Sequence, residues 1–574
     1  MIKLLKFIGE YKKYAILTPI CVFGEVLMEI LIPFIMGKMV DFGIIYGKGI
    51  SYIIKIGLLM IFISAISLIF GIFSGKFSAK AAVGFAKNIR YNLFNKIQSF
   101  SFSNIDKFLT SSLLTRLTTD VTNVQNAFMM VIRLAVRAPF MLIGSMIMVI
   151  YTNPNLSIIF LFAIPVLAIS LYIIINFAYP RYQAMLGMYD KINLNVEENL
   201  SGIRLVKAFA REEYEENKFK NIANLTRKIQ VLAEKLIIFN MPIMQLVVYS
   251  CILAVLWFGG NMIIQSEMTI GELASFIVYI MQILMSLMML SVIFIVLTIS
   301  KASVNRIDEV LAEVSDIKDS DKDFNLNDGS AEFKDVCFSY TNRKDNLVLK
   351  NINFSISSGE TLGIIGSTGS GKSTLVQLLP RFYDIFSGKL IIGGHEIKDY
   401  KLDTLRNNIS MVLQNNTLFS GTIKENLLWG DESAKDDEIF EACKIAQAHD
   451  FILSFKDGYE TQLGQNGVNL SGGQKQRICI ARAILKKPKI LIFDDSTSAV
   501  DTATEAKIRE GLSAKLKDIT KIVVAQRILS IKNADKIIVL NNGLIDGYGT
   551  HRELIISNKI YREIYSSQLA GFKE

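Results

Sequence analysis

A glycine-rich run that ends in lysine, serine and threonine is the clearest chemical signal in this chain of 574 residues. Glycine lets the backbone N–H groups of a loop point inward at phosphate oxygens, and the N-terminus of a following helix adds positive potential. The apolar stretch TLGIIG leads directly into the run, which is the strand–loop–helix context of a phosphate loop. We therefore predict a nucleotide-phosphate site made of Gly366, Ser367, Thr368, Gly369, Ser370, Gly371, Lys372, Ser373 and Thr374.

Three polar side chains are expected to complete this site. The Lys372 ammonium should reach the β- and γ-phosphates, and the Ser373 hydroxyl should bind Mg²⁺. A second apolar strand, KILIFDD, ends in Asp494 and Asp495, and the Asp494 carboxylate can hold Mg²⁺ through water. An ordinary strand end is the alternative for Asp494, but the presence of the phosphate loop favours the metal. The sequence thus predicts ATP and Mg²⁺ as ligands.

A second glycine-rich phrase, LSGGQ, begins at Leu470. It contains Ser471, Gly472, Gly473 and Gln474 and opens a helix-like stretch. The N-terminus of that helix is another candidate anion site. Taken alone, a phrase of this kind could equally be a turn.

The composition places these motifs in a membrane protein. Hydrophobic residues make up 51% of the chain, and about 20 apolar residues span a bilayer as a helix. The stretches that are long enough are residues 14–44, 53–77, 128–151, 156–177, 236–264 and 273–299. We predict an all-α membrane domain with six spans and long cytoplasmic helical extensions over residues 1–313, a linker over residues 314–330, and an α/β nucleotide-binding domain over residues 331–574.

The distribution of charge sets the expected orientation of the spans. The formal net charge is +9, and the Lys and Arg residues crowd the N-terminus and the long links after spans two and four. The positive-inside rule then predicts a multi-pass protein of a bacterial-type plasma membrane with both termini in the cytoplasm. Because this asymmetry accounts for most of the charge, we expect no nucleic acid as a partner. The five scattered cysteines and three histidines indicate neither a disulfide framework nor a zinc site.

Four charged residues inside the predicted spans invite a functional interpretation. Glu25 and Glu29 are one helical turn apart in span one, and Arg133 and Arg137 repeat that spacing in span three. Glu25 and Glu29 are candidate contacts for a hydrophobic, cationic substrate, and Arg133 and Arg137 are further candidates for substrate contact. The alternative is an interhelical pair that fixes packing, or snorkelling of the arginines toward the interface. The residues alone leave both interpretations open.

The six spans, the phosphate loop and LSGGQ together resemble the half-transporters of the ABC exporter family over nearly the whole chain. The resemblance implies ATP-driven export, and a P-loop cassette with an antiparallel β subdomain and a helical subdomain. It also implies that Tyr340 stacks on adenine, that Gln414 in the Q-loop senses the γ-phosphate and Mg²⁺, and that Asp501 ends the D-loop SAVD of residues 498–501. Segments that begin at Asn104 and Glu197 resemble those that dock on the cassettes.

Two positions depart from the family pattern. Where hydrolytic members carry glutamate after the Mg²⁺ aspartate, this chain has Asp495, and where they carry the switch histidine it has Gln526. Aspartate reaches about 1.5 Å less far than glutamate, and misplacement on that scale costs about 100-fold in rate. Glutamine forms hydrogen bonds but cannot become cationic. The resemblance thus implies a site that binds ATP and hydrolyses it poorly.

The intact LSGGQ phrase bears on the partner. Nucleotide sites of this family form between two cassettes, with the phosphate loop of one and LSGGQ of the other. This implies a heterodimer in which the chain completes an active site on a second half-transporter, which carries Glu and His at the altered positions. A homodimer with slow ATPase activity and a largely non-catalytic, ATP-gated regulatory subunit are the alternatives. We expect hydrophobic or amphipathic substrates, drug-like or lipid-like, and membrane lipids as further partners.

Overall fold

The chain forms two compact units in the computed structural model, which describes residues 2–322, 324–495 and 500–570. The helical unit comprises Met1–Gln98 and Leu109–Glu313. The α/β unit comprises Ser99–Phe108 and Val314–Glu574. The short segment Ser99–Phe108 therefore packs with the α/β unit, although it lies between two segments of the helical unit in the sequence.

Long helices dominate the first part of the chain. A 3₁₀ segment, Ile2–Tyr11, precedes them, and π-helical turns occur at Met39–Ile45 and Arg116–Asp120. The α-helices are α1 (Lys12–Lys38), α2 (Ile50–Gln98), α3 (Phe102–Phe108, in the α/β unit), α4 (Thr110–Thr115), α5 (Val121–Thr152), α6 (Pro154–Ser201), α7 (Ile203–Ala208), α8 (Glu212–Ile238), α9 (Asn240–Ile264) and α10 (Ile270–Ala312).

Within the described part of the chain, six helical stretches are long and apolar enough to cross a membrane, which confirms the six predicted spans. They are Lys3–Ile45, Ile50–Gln98, Thr110–Thr152, Pro154–Ile174, Met241–Ile264 and Ile270–Phe294. α2 and α6 run for 49 and 48 residues. The helix-patterned links after spans two and four thus begin as uninterrupted continuations of those spans.

The α/β unit contains short strands and helices in alternation. Its strands are β1 (Ala331–Phe338), β2 (Leu349–Ile356), β3 (Thr361–Gly366), β4 (Ser387–Ile392), β5 (His395–Glu396), β6 (Ile409–Val412), β7 (Gly421–Thr422), β8 (Gln462–Leu463), β9 (Ile490–Asp494), β10 (Thr520–Val524), β11 (Lys536–Asn541) and β12 (Leu544–Gly549). Its further helices are α11 (Lys372–Gln377), α12 (Leu402–Asn408), α13 (Ile423–Leu428), α14 (Asp436–Ile445), α15 (His449–Leu453), α16 (Gly472–Leu485), α17 (Thr502–Lys515), α18 (Ile528–Ile531), α19 (His551–Ser557) and α20 (Lys559–Ala570).

Two main sheets organise the α/β unit. The larger has the order β12-β11-β3-β10-β9-β6, with β11, β3, β10, β9 and β6 parallel and β12 antiparallel at the edge. The smaller is antiparallel, in the order β2-β1-β4-β5. All five residues of β9 are buried, as expected for a parallel strand covered on both faces. The predicted fold class is thus confirmed.

Candidate nucleotide site and the contacts around it

Four neighbouring parallel strands end at one edge of the larger sheet, and each ends close to a predicted site residue. β3 ends at Gly366 in the phosphate loop, and β9 ends at Asp494. β10 ends two residues before Gln526, and β6 ends two residues before Gln414. The carboxyl ends of parallel strands meet at one edge, where ligands of open α/β sheets bind. The topology therefore gathers four segments that are far apart in the sequence.

Glycine geometry shapes the phosphate loop. Gly369 and Gly371 have φ angles of 81° and 99°, a conformation that residues with side chains rarely adopt. At Gly366, a Cβ atom would lie only 2.1 Å from the carbonyl oxygen of Leu540. Gly371 is the N-cap of α11, so the loop leads directly into a helix. The loop thus offers N–H groups and open space for phosphate oxygens, and it fits the predicted ligand.

The Lys372 ammonium lies folded over this loop. Its Nζ donates hydrogen bonds to the carbonyl oxygens of Gly366 and Ser367 at 2.9 and 2.8 Å. Burial lowers the pKa of Lys372, while the carboxylates of Asp495 and Asp494 oppose this effect. The ammonium is therefore already positioned at the loop, where phosphate oxygens can replace the two carbonyl oxygens.

Ser373 and Asp494 form a direct hydrogen bond. The Ser373 hydroxyl donates to Asp494 Oδ1 at 2.8 Å. Asp494 is 3% exposed, and burial raises the pKa of its carboxyl group. A hydroxyl and a carboxylate from facing elements are the hard oxygen ligands that Mg²⁺ prefers. The donor set therefore fits the predicted metal.

Asp495 is held by two contacts from the end of β10. Its backbone N–H donates to the carbonyl oxygen of Val524 at 3.1 Å, and its φ angle is 49°. Gln526 Nε2 donates to Asp495 Oδ2 at 2.6 Å. Burial raises the pKa of Asp495, and the hydrogen bond from Gln526 opposes that shift. The two residues that the sequence analysis predicts to depart from the family pattern are thus in direct contact.

Tyr340 lies beside the phosphate-loop helix. Its hydroxyl is 2.9 Å from the hydroxyl of Thr374, and its ring is T-shaped against Phe338 and Tyr383 at 4.9 and 5.1 Å. Burial raises the pKa of the Tyr340 hydroxyl. The residue is nevertheless 47% exposed. One side of the ring is packed and the rest is accessible, as a base-stacking residue requires.

The LSGGQ phrase forms a helix cap. Ser471 is the N-cap of α16, its Oγ accepts from Gln474 N at 3.3 Å, and Gln474 Oε1 accepts from Ser471 N at 2.9 Å. This reciprocal pair is a capping box. Ser471 and Gly472 are exposed, and no hydrogen bond between described residues joins the phrase to the phosphate loop. The structure therefore separates LSGGQ from the site of its own chain.

The remaining predicted residues lie at element boundaries. Gln414 is exposed just after β6. Asp501 is the N-cap of α17, where its carboxylate accepts from Thr504 N at 2.9 Å, and the backbone hydrogen bond from Thr504 lowers its pKa. Ser498, which opens the predicted D-loop, lies outside the described residues.

Comparison with known proteins decides the family. Residues 15–287 match the family described as the ABC transporter transmembrane region, and residues 349–498 match the family described as ABC transporter. The ABC transporter ATP-binding protein YfiB of Bacillus subtilis is 38% identical over 568 residues, which cover 99% of this chain and 98% of YfiB. The chain belongs to the ABC exporter family, as a half-transporter.

Two further similarities agree with this assignment. The ATP-dependent lipid A-core flippase of Syntrophus aciditrophicus is 34% identical over 498 residues, which cover 85% of the half-transporter and 80% of the flippase. A bacterial Atm1-family ABC exporter with ATP bound shares the fold, with a TM-score of 0.84 at 24% identity and coverage of 97% and 98% of the two chains. The half-transporter is thus a multi-pass membrane protein with an ATP-binding ATPase domain, and it acts with a second chain.

The half-transporter also contains aromatic contacts that sequence reasoning missed. Phe102 of α3 stacks on Phe382 with ring centroids 4.4 Å apart, and the Tyr383 hydroxyl donates to Asp106 Oδ2 at 2.9 Å. Tyr383 also packs against Tyr340. The predicted docking segment begins at Asn104 and so excludes Phe102. The run RFYD after α11 shows two adjacent aromatic residues, but nothing in it identifies their partners.

The intramembrane charges of the half-transporter are brought together only in part. The Arg137 guanidinium bonds to Glu25 and, at 2.7 and 2.8 Å, to both carboxylate oxygens of Glu29. Ser74 Oγ also donates to Glu25 Oε2, at 3.3 Å. No ion pair between described residues joins Arg133 to this cluster. The three-residue cluster of Glu25, Glu29 and Arg137 links α1 to α5.

Proposed function

We propose that this half-transporter is the subunit of a heterodimeric ABC exporter that contributes the hydrolytically impaired ATP site. The hydrogen bond between Gln526 and Asp495 is the observation that carries the proposal. It occupies one carboxylate oxygen of the residue that would orient and activate the attacking water.

Two opposing effects act on Asp495. Its raised pKa alone would make it a stronger base. Its shorter side chain, however, withdraws the carboxylate by about 1.5 Å relative to glutamate. Since general-base catalysis requires hydrogen-bond reach to the water, geometry outweighs basicity here. Gln526, for its part, cannot supply a positive charge beside the γ-phosphate.

The binding elements of the same site are intact. Lys372 is placed to attract phosphate oxygens, and Ser373 and Asp494 together form an oxygen donor set. A bound Mg²⁺ would neutralise charge on the phosphate oxygens of ATP. Intact binding elements with a displaced general base favour slow hydrolysis of tightly held ATP.

The exposed LSGGQ cap supports the assignment of a second, active site. An exposed helix N-terminus attracts anions, and α16 begins with one at the exposed Ser471 and Gly472. In the proposed heterodimer this cap closes over ATP bound to the partner, whose cassette carries the glutamate and the histidine. ATP bound at the impaired site persists through the cycle and keeps the cassettes associated, because it binds the closed state preferentially.

The proposed cargo is a hydrophobic or amphipathic compound, moved out of the cytoplasm or the inner leaflet of a bacterial cell membrane, with both termini in the cytoplasm. The similarity to a lipid A-core flippase supports a lipid-like cargo. For Glu25, Glu29 and Arg137, the ion cluster favours a packing role over a direct substrate contact, because the carboxylates already have a partner. Arg133 remains a candidate for substrate contact.

Purification of the chain alone tests the proposal. We expect slow ATP hydrolysis that rises about 100-fold when Asp495→Glu and Gln526→His are combined. Lys372→Ala, which removes the phosphate contact, is the control for contaminating ATPases. Brisk hydrolysis by the unmodified chain, lost on Asp495→Ala, would contradict the impaired site and favour a homodimer.

A further inference from the structure

A cavity of about 270 Å³ lies inside the helical unit, at the end where α1, α5 and α10 meet. Its walls come from the last turn of α1, the π-helical Met39–Ile45, the end of α5 and the first turns of α10. Pockets for drug-sized ligands usually measure about 300–1,000 Å³. This cavity therefore suits a small molecule or one polar group of a larger molecule.

Aromatic rings of the cavity already bind ammonium groups. Phe34 and Tyr151 form a T-shaped pair at 6.0 Å. The Lys38 Nζ lies 4.4 Å from the centroid of the Phe34 ring, and the Lys48 Nζ lies 4.7 Å from that of Phe42. Ring faces attract cations within about 6 Å of the centroid. The chain thus supplies its own ammonium ions to rings that line the cavity.

Two carboxylates of the cavity have only uncharged hydrogen-bond donors. Asp41 is 7% exposed and accepts at 2.7 Å both from the Thr269 hydroxyl and from Gly271 N. Glu272 Oε2 accepts from Thr269 N at 3.0 Å. Among the described residues, no ion pair includes Asp41 or Glu272. Lys38 is the one cationic residue in the lining itself, and Lys48 adds a second ammonium group at the Phe42 ring.

The walls are rigid. Ser275 Oγ donates to Pro33 O at 2.7 Å, and a Cβ atom on Gly271 would lie 2.1 Å from Gly37 O, so α1 and α10 are in backbone contact. A π-helical turn carries Asp41 into this junction, and such turns are frequent at functional sites. Fastening of α1 to α10 explains the bonds of Asp41, but it does not explain why aromatic rings that hold ammonium groups line the same cavity.

We propose that this cavity is a binding site for an organic ammonium group, which lies against Phe34 and Tyr151 and is neutralised by Asp41 and Glu272. In the absence of ligand the Lys38 ammonium lies over the Phe34 ring, and it moves away when the ligand binds. The lysine stem is flexible, so the exchange needs no backbone movement. The ammonium group belongs either to a free amphiphile or to a lipid headgroup.

The location of the cavity deepens the proposed function and rests on it. In the proposed orientation, the links after α1, α5 and α9 lie outside the cytoplasm, so the site would receive a cationic group at the exit side. Binding itself depends on neither ATP nor the partner. An absence of choline binding together with intact ATP-driven export would overturn the ammonium site alone. Choline binding without ATP-driven export would overturn the proposed export function alone.

The test measures equilibrium binding of radiolabelled choline to the full-length chain in phosphatidylglycerol nanodiscs, without ATP. The uncharged isostere 3,3-dimethylbutan-1-ol is the competitor. We expect Phe34→Leu to weaken choline binding about two- to fivefold, the effect of one cation–π contact. Lys38→Gln should tighten it by a similar factor, because the resident cation is removed. A competitor that binds as tightly as choline would overturn the proposal, since the site would then not recognise charge.

Glu272→Gln is the sharpest variant, because glutamine preserves the capping box at Thr269 while the charge is lost. We expect about fivefold weaker choline binding, the effect of one ion pair, with an unchanged thermal midpoint. Glu267→Gln, exposed in the link just before α10, is the matched control and should bind like the unmodified chain. Equal binding by Glu272→Gln and Glu267→Gln would overturn the proposal.

The same choline-binding measurement in phosphatidylethanolamine nanodiscs identifies the source of the ammonium group. Weaker choline binding, through competition by this lipid, indicates a lipid headgroup, and undiminished choline binding indicates a free amphiphile.

Discussion

Gln526 Nε2 donates a 2.6 Å hydrogen bond to Asp495 Oδ2, so the two residues that we propose impair hydrolysis are in direct contact. The contact is possible because β9 and β10 are parallel neighbours, with Asp494 in register with Val524. Residues just beyond the two strand ends therefore meet at the edge of the sheet. A substitution at either position must change the environment of the other.

This contact predicts non-additive effects on hydrolysis. Asp495→Glu alone should raise kcat less than Asp495→Glu with Gln526→His, because the glutamine of the single variant still competes for the carboxylate. Groups in direct contact typically show coupling of about 0.5–3 kcal/mol. ATPase rates of the four proteins of a double-mutant cycle measure the coupling. Effects that simply add in log kcat would show that the hydrogen bond has no influence on hydrolysis.

The LSGGQ cap predicts a separation of ATP binding from ATP turnover. Ser471→Ala should remove the capping hydrogen bond at α16, at a cost of about 1 kcal/mol in unfolding free energy. In the proposed heterodimer, the substitution should lower ATP hydrolysis at the partner's site while ATP stays bound at Lys372. Photo-labelling of this chain by an azido-ATP, measured beside the ATPase rate, checks both expectations. Ser433→Ala is a surface control in the same unit.

The burial of Asp494 predicts that the unmodified chain and Asp494→Asn differ in stability by an amount that depends on pH. Burial raises its pKa in the folded state, so the folded protein binds the proton more tightly than the unfolded chain. The charged carboxylate therefore destabilises the nucleotide-free cassette at neutral pH, and this cost vanishes as the pH falls below the pKa in the unfolded chain. We expect Asp494→Asn to raise Tm at pH 7 by a few degrees, a gain of about 1 kcal/mol, and to lose this advantage in acid.

Asp501 supplies the control of opposite sign. Hydrogen bonds that its carboxylate accepts from Thr504 lower the pKa of Asp501, so its contribution to stability is present at neutral pH and is lost as the pH falls through the folded-state pKa. Asp501→Asn should therefore not raise Tm at pH 7. A gain for this variant equal to that of Asp494→Asn would show that burial of Asp494 is not the cause.

The ion cluster in the membrane domain predicts a strong asymmetry between its members. Arg137→Leu leaves Glu25 and Glu29 without their cation, and loss of one partner of a buried ion pair costs about 3–5 kcal/mol. Arg133→Leu should cost much less, because Arg133 is outside the cluster. Thermal unfolding in detergent compares the two variants. Equal losses would argue against the packing role of the cluster.

The hydrogen bond from the Tyr383 hydroxyl to Asp106 predicts that the contact between α3 and the cassette is needed for transport. Tyr383→Phe keeps the aromatic packing on Phe102 and Tyr340 but removes the hydrogen bond to Asp106, at a cost of about 1.5–3 kcal/mol for a bond to a charged group. We expect transport to fall severalfold while the Kd for ATP changes less than twofold. Tyr548→Phe, which removes a hydrogen bond to Ser355 O, is the matched control. Unchanged transport would show that this contact is dispensable.

Local sequence patterns were sufficient to predict most residues of the nucleotide site. The positive φ angles at Gly369 and Gly371 and the strand before them are local requirements of a phosphate loop, so the sequence alone predicts Lys372 and Ser373 as binding residues. The same holds for the six spans, because the length of an apolar run is a direct consequence of bilayer thickness.

Contacts between distant segments required the tertiary structure. Neither the bond between Asp495 and Gln526 nor the grouping of Arg137 with both glutamates follows from spacing, because each depends on which strands or helices are neighbours. The cavity with Asp41 and Glu272 depends likewise on the packing of α1 against α10. The sequence by itself determined which residues can bind phosphate and which segments can cross a membrane. The fold decided which charges meet, because side-chain contacts between elements depend on strand order and helix packing rather than on local propensity.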